Sequence, residues 1–250
     1  MNTTITTTTT HASDLTTNKY GQTLGEPMGH WTPPSSPTEI PTTGRFCRLE
    51  RLNPKLHGQA LYQANAEDIT PESWTYLPYG PFRDFSEYQD WLSEQIQQPD
   101  QKFYAIIDLK SGKAVGLAAY LRIMPSAGSV EVGHLKFSPR MQRTPLSTEA
   151  MYLMMQHAFA LGYRRYEWKC NDFNEPSKRA ALRLGFQFEG VFRQAQVVKG
   201  HNRDTAWFSV IDKEWPQLEM AFQQWLSPQN FDDEGEQVER LVDIRQSLEP

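Results

Sequence analysis

The stretch Ser129-Val130-Glu131-Val132-Gly133-His134-Leu135-Lys136-Phe137-Ser138-Pro139-Arg140-Met141-Gln142-Arg143-Thr144-Pro145-Leu146-Ser147-Thr148-Glu149-Ala150 decides how the rest of the chain is read. Val130, Val132, Leu135 and Phe137 supply the β-branched and aromatic content of a strand. Pro139 has no amide hydrogen for a ladder, so the strand stops there. Thr144 suits an N-cap, and Pro145 suits the first helical position, where φ is already set and a missing N–H loses no partner. Met151, Met154, Met155, Ala158 and Phe159 then recur at three- and four-residue spacing, which predicts a core-facing helix ending at Gly162.

The basic turn between strand and helix carries the chemistry. The first N–H groups of a helix lack intrahelical acceptors, so Leu146, Ser147 and Thr148 present theirs beside Gln142, Arg143 and Arg140. Such an arrangement suits a phosphate or pyrophosphate. On this segment alone, a capped helix with solvated arginines reads equally well.

The run Gln142 to Ala150 resembles the acetyl-CoA pyrophosphate loop of the GNAT (Gcn5-related) N-acetyltransferases, whose pattern is Gln/Arg-x-x-Gly-x-Gly/Ala before a helix. Thr148-Glu149-Ala150 is similar to the helix start of the ribosomal-protein N-acetyltransferase branch. Pro145 stands where glycine is usual and Ser147 where glycine or alanine is usual; the proline removes one phosphate-facing N–H and leaves the helix terminus in place. A second block, Asn171-Asp172-Phe173-Asn174-Glu175-Pro176-Ser177-Lys178-Arg179-Ala180-Ala181-Leu182-Arg183-Leu184-Gly185-Phe186, resembles that branch's Asn-x-x-Ser helix ending in Leu-Gly-Phe. In physical terms Asn174 is an N-cap, Ala180, Ala181 and Leu184 pack inward, and Gly185 closes the helix in a left-handed conformation. The resemblance covers about residues 45 to 212.

This resemblance implies an α+β fold, a central, mostly antiparallel sheet flanked by helices, with acetyl-CoA as cosubstrate and no metal. Backbone groups of Leu135 and Phe137 would pair with the pantetheine arm. Gln142, Arg143, Thr144, Pro145, Leu146, Ser147 and Thr148 would hold the pyrophosphate, and Asn171 and Asn174 would position the cofactor. Ser177 would protonate the departing thiolate, its alternative being an ordinary first-turn residue. For the base there are two candidates on one strand, Glu131 and His134, expected on opposite faces because strand side chains alternate. His134 has an ordinary pKa of about 6.5, suited to proton removal. The resembling branch leads one to expect a carboxylate on the sixth strand after a Gln-Ala pair; here Gln194-Ala195 is followed by Gln196, which is no base. The region between the first two helices borders the acceptor in this family, so Trp74, Tyr76, Tyr79 and Phe82 either line a substrate pocket or form a lid over the core. The acceptor is expected to be a primary amine of a small molecule or of a peptide or protein N-terminus. A CoA-binding sensor without turnover, and transfer of a bulkier acyl group, are the rival readings.

The chain has 250 residues and a formal net charge of -5, which fits one generous domain plus tails and argues against a general nucleic-acid binder. No apolar run reaches the roughly 18 to 20 residues of a membrane span, and no signal peptide is evident, so a cytoplasmic monomer or homodimer is expected. Cys47 and Cys170, the two cysteines, are expected to be reduced. Residues 1 to about 40, rich in threonine, proline and serine, are read as a disordered leader. Arg45–Leu52 reads as the opening strand, Lys55–Ala64 and Asp84–Gln97 as helices, Phe103–Asp108 and Ala114–Ile123 as a hairpin, and Arg165–Cys170 as the strand after the long helix. Helix Glu175–Leu184 follows, then a final hairpin of Phe188–Lys199 and Asp204–Asp212 with Gly200-His201-Asn202-Arg203 as its turn, and an amphipathic helix Trp215–Leu226. The folded domain is placed at residues 41–227. From 228 onward the chain reads as an acidic, mobile tail in which Val238, Leu241, Val242 and Ile244 could form a short docking helix.

Overall fold

A computed structural model describes residues 16–37 and 42–248. The chain divides into two compact units, residues 1–32 and 33–250. In the first, strands β1 (Thr16–Thr17) and β2 (Thr23–Leu24) pair antiparallel across a turn in which Asn18 Oδ1 accepts from the amides of Tyr20 and Gln22. This part of the expected leader is therefore locally paired; residues 1–15 and 38–40 of it lie outside the described residues.

The second unit runs β3 (Thr42–Thr43), β4 (Cys47–Arg51), α1 (Pro54–Asn65), α2 (Phe85–Gln95), β5 (Lys102–Asp108), β6 (Lys113–Met124), β7 (Ser129–Phe137), α3 (Pro145–Ala160), β8 (Arg165–Asn171), α4 (Glu175–Arg183), β9 (Gln187–Val198), β10 (His201–Ile211), α5 (Trp215–Leu226) and α6 (Leu241–Ser247). One sheet of eight strands in the order β3-β4-β5-β6-β7-β8-β10-β9 forms its centre, antiparallel throughout except for the parallel pair β7 and β8. The mixed α+β architecture read from the sequence is the one observed.

Strand alternation builds two cores. Phe103, Ala105 and Ile107 of β5 point under α1 and α2, where they join Leu61, Tyr88 and Leu92. Tyr104 and Ile106 point the other way, into the larger cluster with Met151, Met154 and Met155 of α3 and Phe222 of α5. Helix starts follow the expected chemistry: Asn53 Oδ1 caps α1 at the amides of Lys55 and Leu56, and Asp84 Oδ1 caps α2 at Glu87. Gly162 (φ 93°) and Gly185 (φ 97°) take the left-handed conformation that closes α3 and α4.

Two elements differ from expectation. The last hairpin turns at Lys199-Gly200, both at positive φ (49° and 77°), so His201 pairs with Val198 and Arg203 lies inside β10 rather than in the turn. A two-residue turn matching the right-handed strand twist needs positive φ at both positions; the Lys199 ammonium donates to Trp74 O at 2.8 Å, a contact that holds the lysine there. The segment from 228 to 248 is folded onto the domain: the expected short docking helix is α6, which holds Leu241, Val242 and Ile244, while Val238 lies before it and is exposed. Leu241 and Ile244 are fully buried in the larger core, Asn230 braces the segment by accepting from Glu239 N at 2.8 Å, and Arg245 donates to Leu182 O at the end of α4.

Candidate active site

The geometry starts with a bulge in β7. Lys136 pairs with Leu117 and Gly133 with Ala119, so His134 and Leu135 together face Ala118, and His134 sits at φ 51°. One extra residue reverses the alternation. Val130 and Val132 lie in the α3-side core, and Leu135 and Phe137 pack against that same core. Glu131, Gly133, His134 and Lys136 thus share the opposite face. Gly133 is hemmed in there, a Cβ on it falling 2.9 Å from Leu121 and 3.6 Å from Glu131 Oε1. The expectation that Glu131 and His134 occupy opposite faces is therefore wrong, because strict alternation assumes an unbroken ladder.

Their surroundings nonetheless differ. Glu131 is 3% exposed, with one oxygen 2.7 Å from Arg122 Nε and 2.8 Å from Lys169 Nζ and the other 3.2 Å from Arg122 Nη2. Lys169 also bonds Glu167 and stacks its ammonium 3.5 Å from the Trp207 ring centre. His134 is held between Tyr79 (centroids 5.5 Å) and Phe103 (4.8 Å), with Nδ1 at 3.1 Å from the Tyr79 hydroxyl. Burial, helped by the nearby Arg122 charge, pulls its imidazole pKa down to about 4.

Beside the bulge the sheet opens. β7 and β8 pair only from Ser129 and Arg165 to Val132 and Trp168; beyond that, β7 stays with β6 to Phe137 while β8 stays with β10 to Asn171. At the far end of β7, Gln142 Nε2 donates to Phe137 O at 2.7 Å and Arg143 turns the chain at φ 60° into α3. Thr144 occupies the N-cap position without capping: its hydroxyl donates back to Met141 O at 2.8 Å, and Ser147 Oγ donates to Thr144 O at the same distance. Pro145 and Leu146 follow in the first turn, and Thr148 is turned inward, accepting from Arg183 Nη1 at 3.0 Å.

On the β8 side, Asn171 Oδ1 accepts from Phe173 N, and Asn174 caps α4 by accepting from Ser177 N at 3.2 Å. Ser177 Oγ accepts from the Trp168 indole at 3.0 Å, and Cys170 lies within its hydrogen-bonding reach. Cys170 and Cys47 are buried, free thiols, both pushed up in pKa chiefly by burial.

The residues of the aromatic loop divide between packing and the wall of a cavity. Tyr79 and Phe82 are packing residues, within 4.2 and 5.2 Å of the Trp91 ring centre. Trp74 and Tyr76 line a cavity of about 680 Å³ whose other walls include Asn171, Phe173, Lys199 and Arg203. Gly80 at φ 63° lets the loop close on Trp74, where a Cβ would lie 2.5 Å from the ring.

Residues 48–187 match the family model described as an acetyltransferase (GNAT) domain. The chain belongs to the GNAT N-acetyltransferase family. A GCN5-related N-acetyltransferase from Brucella melitensis is 46% identical, covering 88% of this chain and 100% of that one with a TM-score of 0.85. An uncharacterized N-acetyltransferase p20 of Bacillus licheniformis is 25% identical over 58% of this chain and 83% of its own length. The Salmonella typhimurium acetyltransferase that modifies the N-terminal serine of ribosomal protein L7/L12 shares the fold at 22% identity, with 69% and 99% of the two chains covered and a TM-score of 0.59.

In this acetyltransferase, sequence reasoning missed two anchoring residues. Lys136 is 2% exposed, donates to Ser73 Oγ at 2.7 Å and Asp68 Oδ2 at 3.0 Å, and lies 4.6 Å from the Trp74 ring centre. It ties β7 to the aromatic loop, and burial lowers its pKa. Glu149, buried in α3, accepts the amides of Arg45, Phe46 and Cys47 at 2.6 to 2.7 Å and so fixes the start of β4. A charged residue between Leu135 and Phe137 was the available signal for the first. Among the described residues, no helix is long and apolar enough to cross a membrane.

Proposed function

We propose that this chain is an acetyl-CoA-dependent transferase that moves an acetyl group to a primary amine of a small molecule or of a peptide or protein N-terminus. The observation that carries this reading is the divergence of β7 from β8 beyond Val132 and Trp168, opposite the N-terminus of α3. It leaves the β8-facing edge of Gly133 to Phe137 open to an extended amide chain, while the start of α3 beside Gln142 and Arg143 suits a pyrophosphate. Leu135 and Phe137 would hold the pantetheine arm through backbone groups, with Asn171 and Asn174 at the opposite lip.

Acetyl-CoA supplies the activated thioester. In the balanced step the neutral amine forms a C–N bond, the C–S bond breaks, one proton leaves the nitrogen and one reaches sulfur. Ser177 is suited to protonating the sulfur, because the Trp168 indole, a donor only, fills one acceptor site on Oγ and leaves the hydroxyl as a donor that can turn from the Cys170 sulfur to the thiolate. Glu131 is committed to Arg122 and Lys169 and is not used as base. His134, neutral at physiological pH, offers a hydrogen bond to the amine, whose proton passes on to solvent.

The test is to incubate the purified chain with acetyl-CoA and a panel of primary amines and N-terminal peptides, measuring thiol release and product mass. An amine gaining 42 Da in step with thiol release supports the reading; acetyl-CoA that binds and is never consumed with any amine refutes it.

A further inference from the structure

The cavity beside the aromatic loop has aromatic walls from Trp74, Tyr76 and Phe173, and its formally charged side chains, Lys199 and Arg203, are both basic. Lys199 donates to Trp74 O. Arg203 likewise meets a neutral acceptor rather than a carboxylate. It is half-buried, its Nη1 donates to the neutral amide oxygen of Gln196 at 3.1 Å, and its Nε is buried without an acceptor. The nearby carboxylate, Glu131, is held by Arg122 and Lys169. Burial pulls the guanidinium's pKa down, the mark of a cation stripped of water without full compensation.

The bulge in the last hairpin makes this arrangement. Arg203 pairs with Gln196, but the next pair is Thr205 with Phe192, so the strands slip out of step between them. Asp204 does not serve Arg203 there: its carboxylate turns to Gln194 N at 2.7 Å and Asn202 Nδ2 at 2.9 Å.

Resting on the acetyltransferase reading above, we propose that Arg203 is a specificity-determining residue: the acceptor is a small amine with an apolar or aromatic body that carries a carboxylate, and Arg203 receives that carboxylate inside the cavity. The planar guanidinium matches the geometry of a carboxylate, which it meets through the part of the fork that lines the cavity. Trp74, Tyr76 and Phe173 take the body. Gln196 keeps Arg203 oriented without neutralising it, so the charge is spent on the ligand. A site built around a half-buried cation without a carboxylate partner disfavours the uncharged analogue, because that analogue leaves the cation unpaired.

Matched pairs test this: 4-(aminomethyl)benzoate against its carboxamide, and phenylalanine against phenylalaninamide, with wild type, Arg203→Gln and Gln196→Glu. The expected wild-type preference for each carboxylate is about 10-fold or more in kcat/KM, expressed in KM. Arg203→Gln should bring the ratio close to one with acetyl-CoA affinity unchanged. Gln196→Glu, at an exposed site, should do the same by supplying a counter-charge, and it serves if Arg203→Gln does not fold. Preference for the carboxamides, or a ratio that neither variant alters, overturns the proposal. If no amine is acetylated, the acetyltransferase reading fails instead; calorimetric binding of 4-(aminomethyl)benzoate to wild type but not to Gln196→Glu still decides the role of Arg203, and equal or absent binding to both overturns it.

Discussion

His134 Nδ1 lies 3.1 Å from the Tyr79 hydroxyl, a contact created by the β7 bulge that turns His134 toward α1 and α2. Because burial holds the imidazole near a pKa of about 4 while an unfolded histidine titrates near 6.5, the neutral ring favours the folded state. That stability is fully present above pH 6.5 and is lost as pH falls toward 4. Denaturant unfolding between pH 7.5 and 4.5 should show the wild type losing about 2 to 3 kcal/mol more than His134→Gln, at about 1.4 kcal/mol per pKa unit. Parallel pH curves for the two would refute it.

Ser177→Ala should lower kcat about 100-fold, the scale of one general acid, while the KM for acetyl-CoA stays the same. The Trp168 indole loses its acceptor, so a stability loss of about 1 kcal/mol accompanies it. Steady-state kinetics with melting curves check both; an unchanged kcat removes Ser177 from the chemistry.

Glu149→Gln should destabilise the fold by about 2 to 3 kcal/mol, since three backbone amides converge on a carboxylate and a carboxamide offers one oxygen and two competing N–H groups. Chemical denaturation measures this directly, and a change below about 0.5 kcal/mol would mean that the amides are satisfied otherwise.

Gly80→Ala should cost about 1 to 3 kcal/mol and loosen the aromatic loop, because a Cβ meets Trp74 at 2.5 Å and φ is 63°. Increased proteolysis at Trp74–Phe82 with a lowered melting temperature is the expected result; wild-type resistance contradicts it.

What could be read in the sequence was local chemistry. Pro139 ending a strand, Pro145 opening a helix, Asn174 capping and Gly185 closing all act within a few residues, and each stands where expected. The bulge was hidden because His134 at positive φ breaks no local composition rule, and one added residue reverses every side chain after it. Lys136 was hidden for another reason: its partners Asp68 and Ser73 come from a distant segment, and a lysine at a strand position reads as solvated until the fold places a loop over it. In the last hairpin, Asn202 and Arg203 looked like turn residues, yet two positive φ values at Lys199 and Gly200 were enough to turn the chain earlier. The apolar residues Leu241, Val242 and Ile244 did announce a short docking helix; hidden was the packing of the segment before it, which Asn230 holds through Trp225 O, Glu239 N and Glu239 O.

The most direct measurement of the central claim is hydrogen exchange of the backbone amides with and without saturating acetyl-CoA. Added protection is expected along the open edge of β7, at residues 133–137, and at residues 142–148 around the start of α3. A melting shift worth about 2.7 kcal/mol at 100 times the dissociation constant should accompany it. Saturable binding with protection elsewhere and none at β7 would contradict the placement of acetyl-CoA between β7 and β8, and no binding at all would contradict the cosubstrate itself.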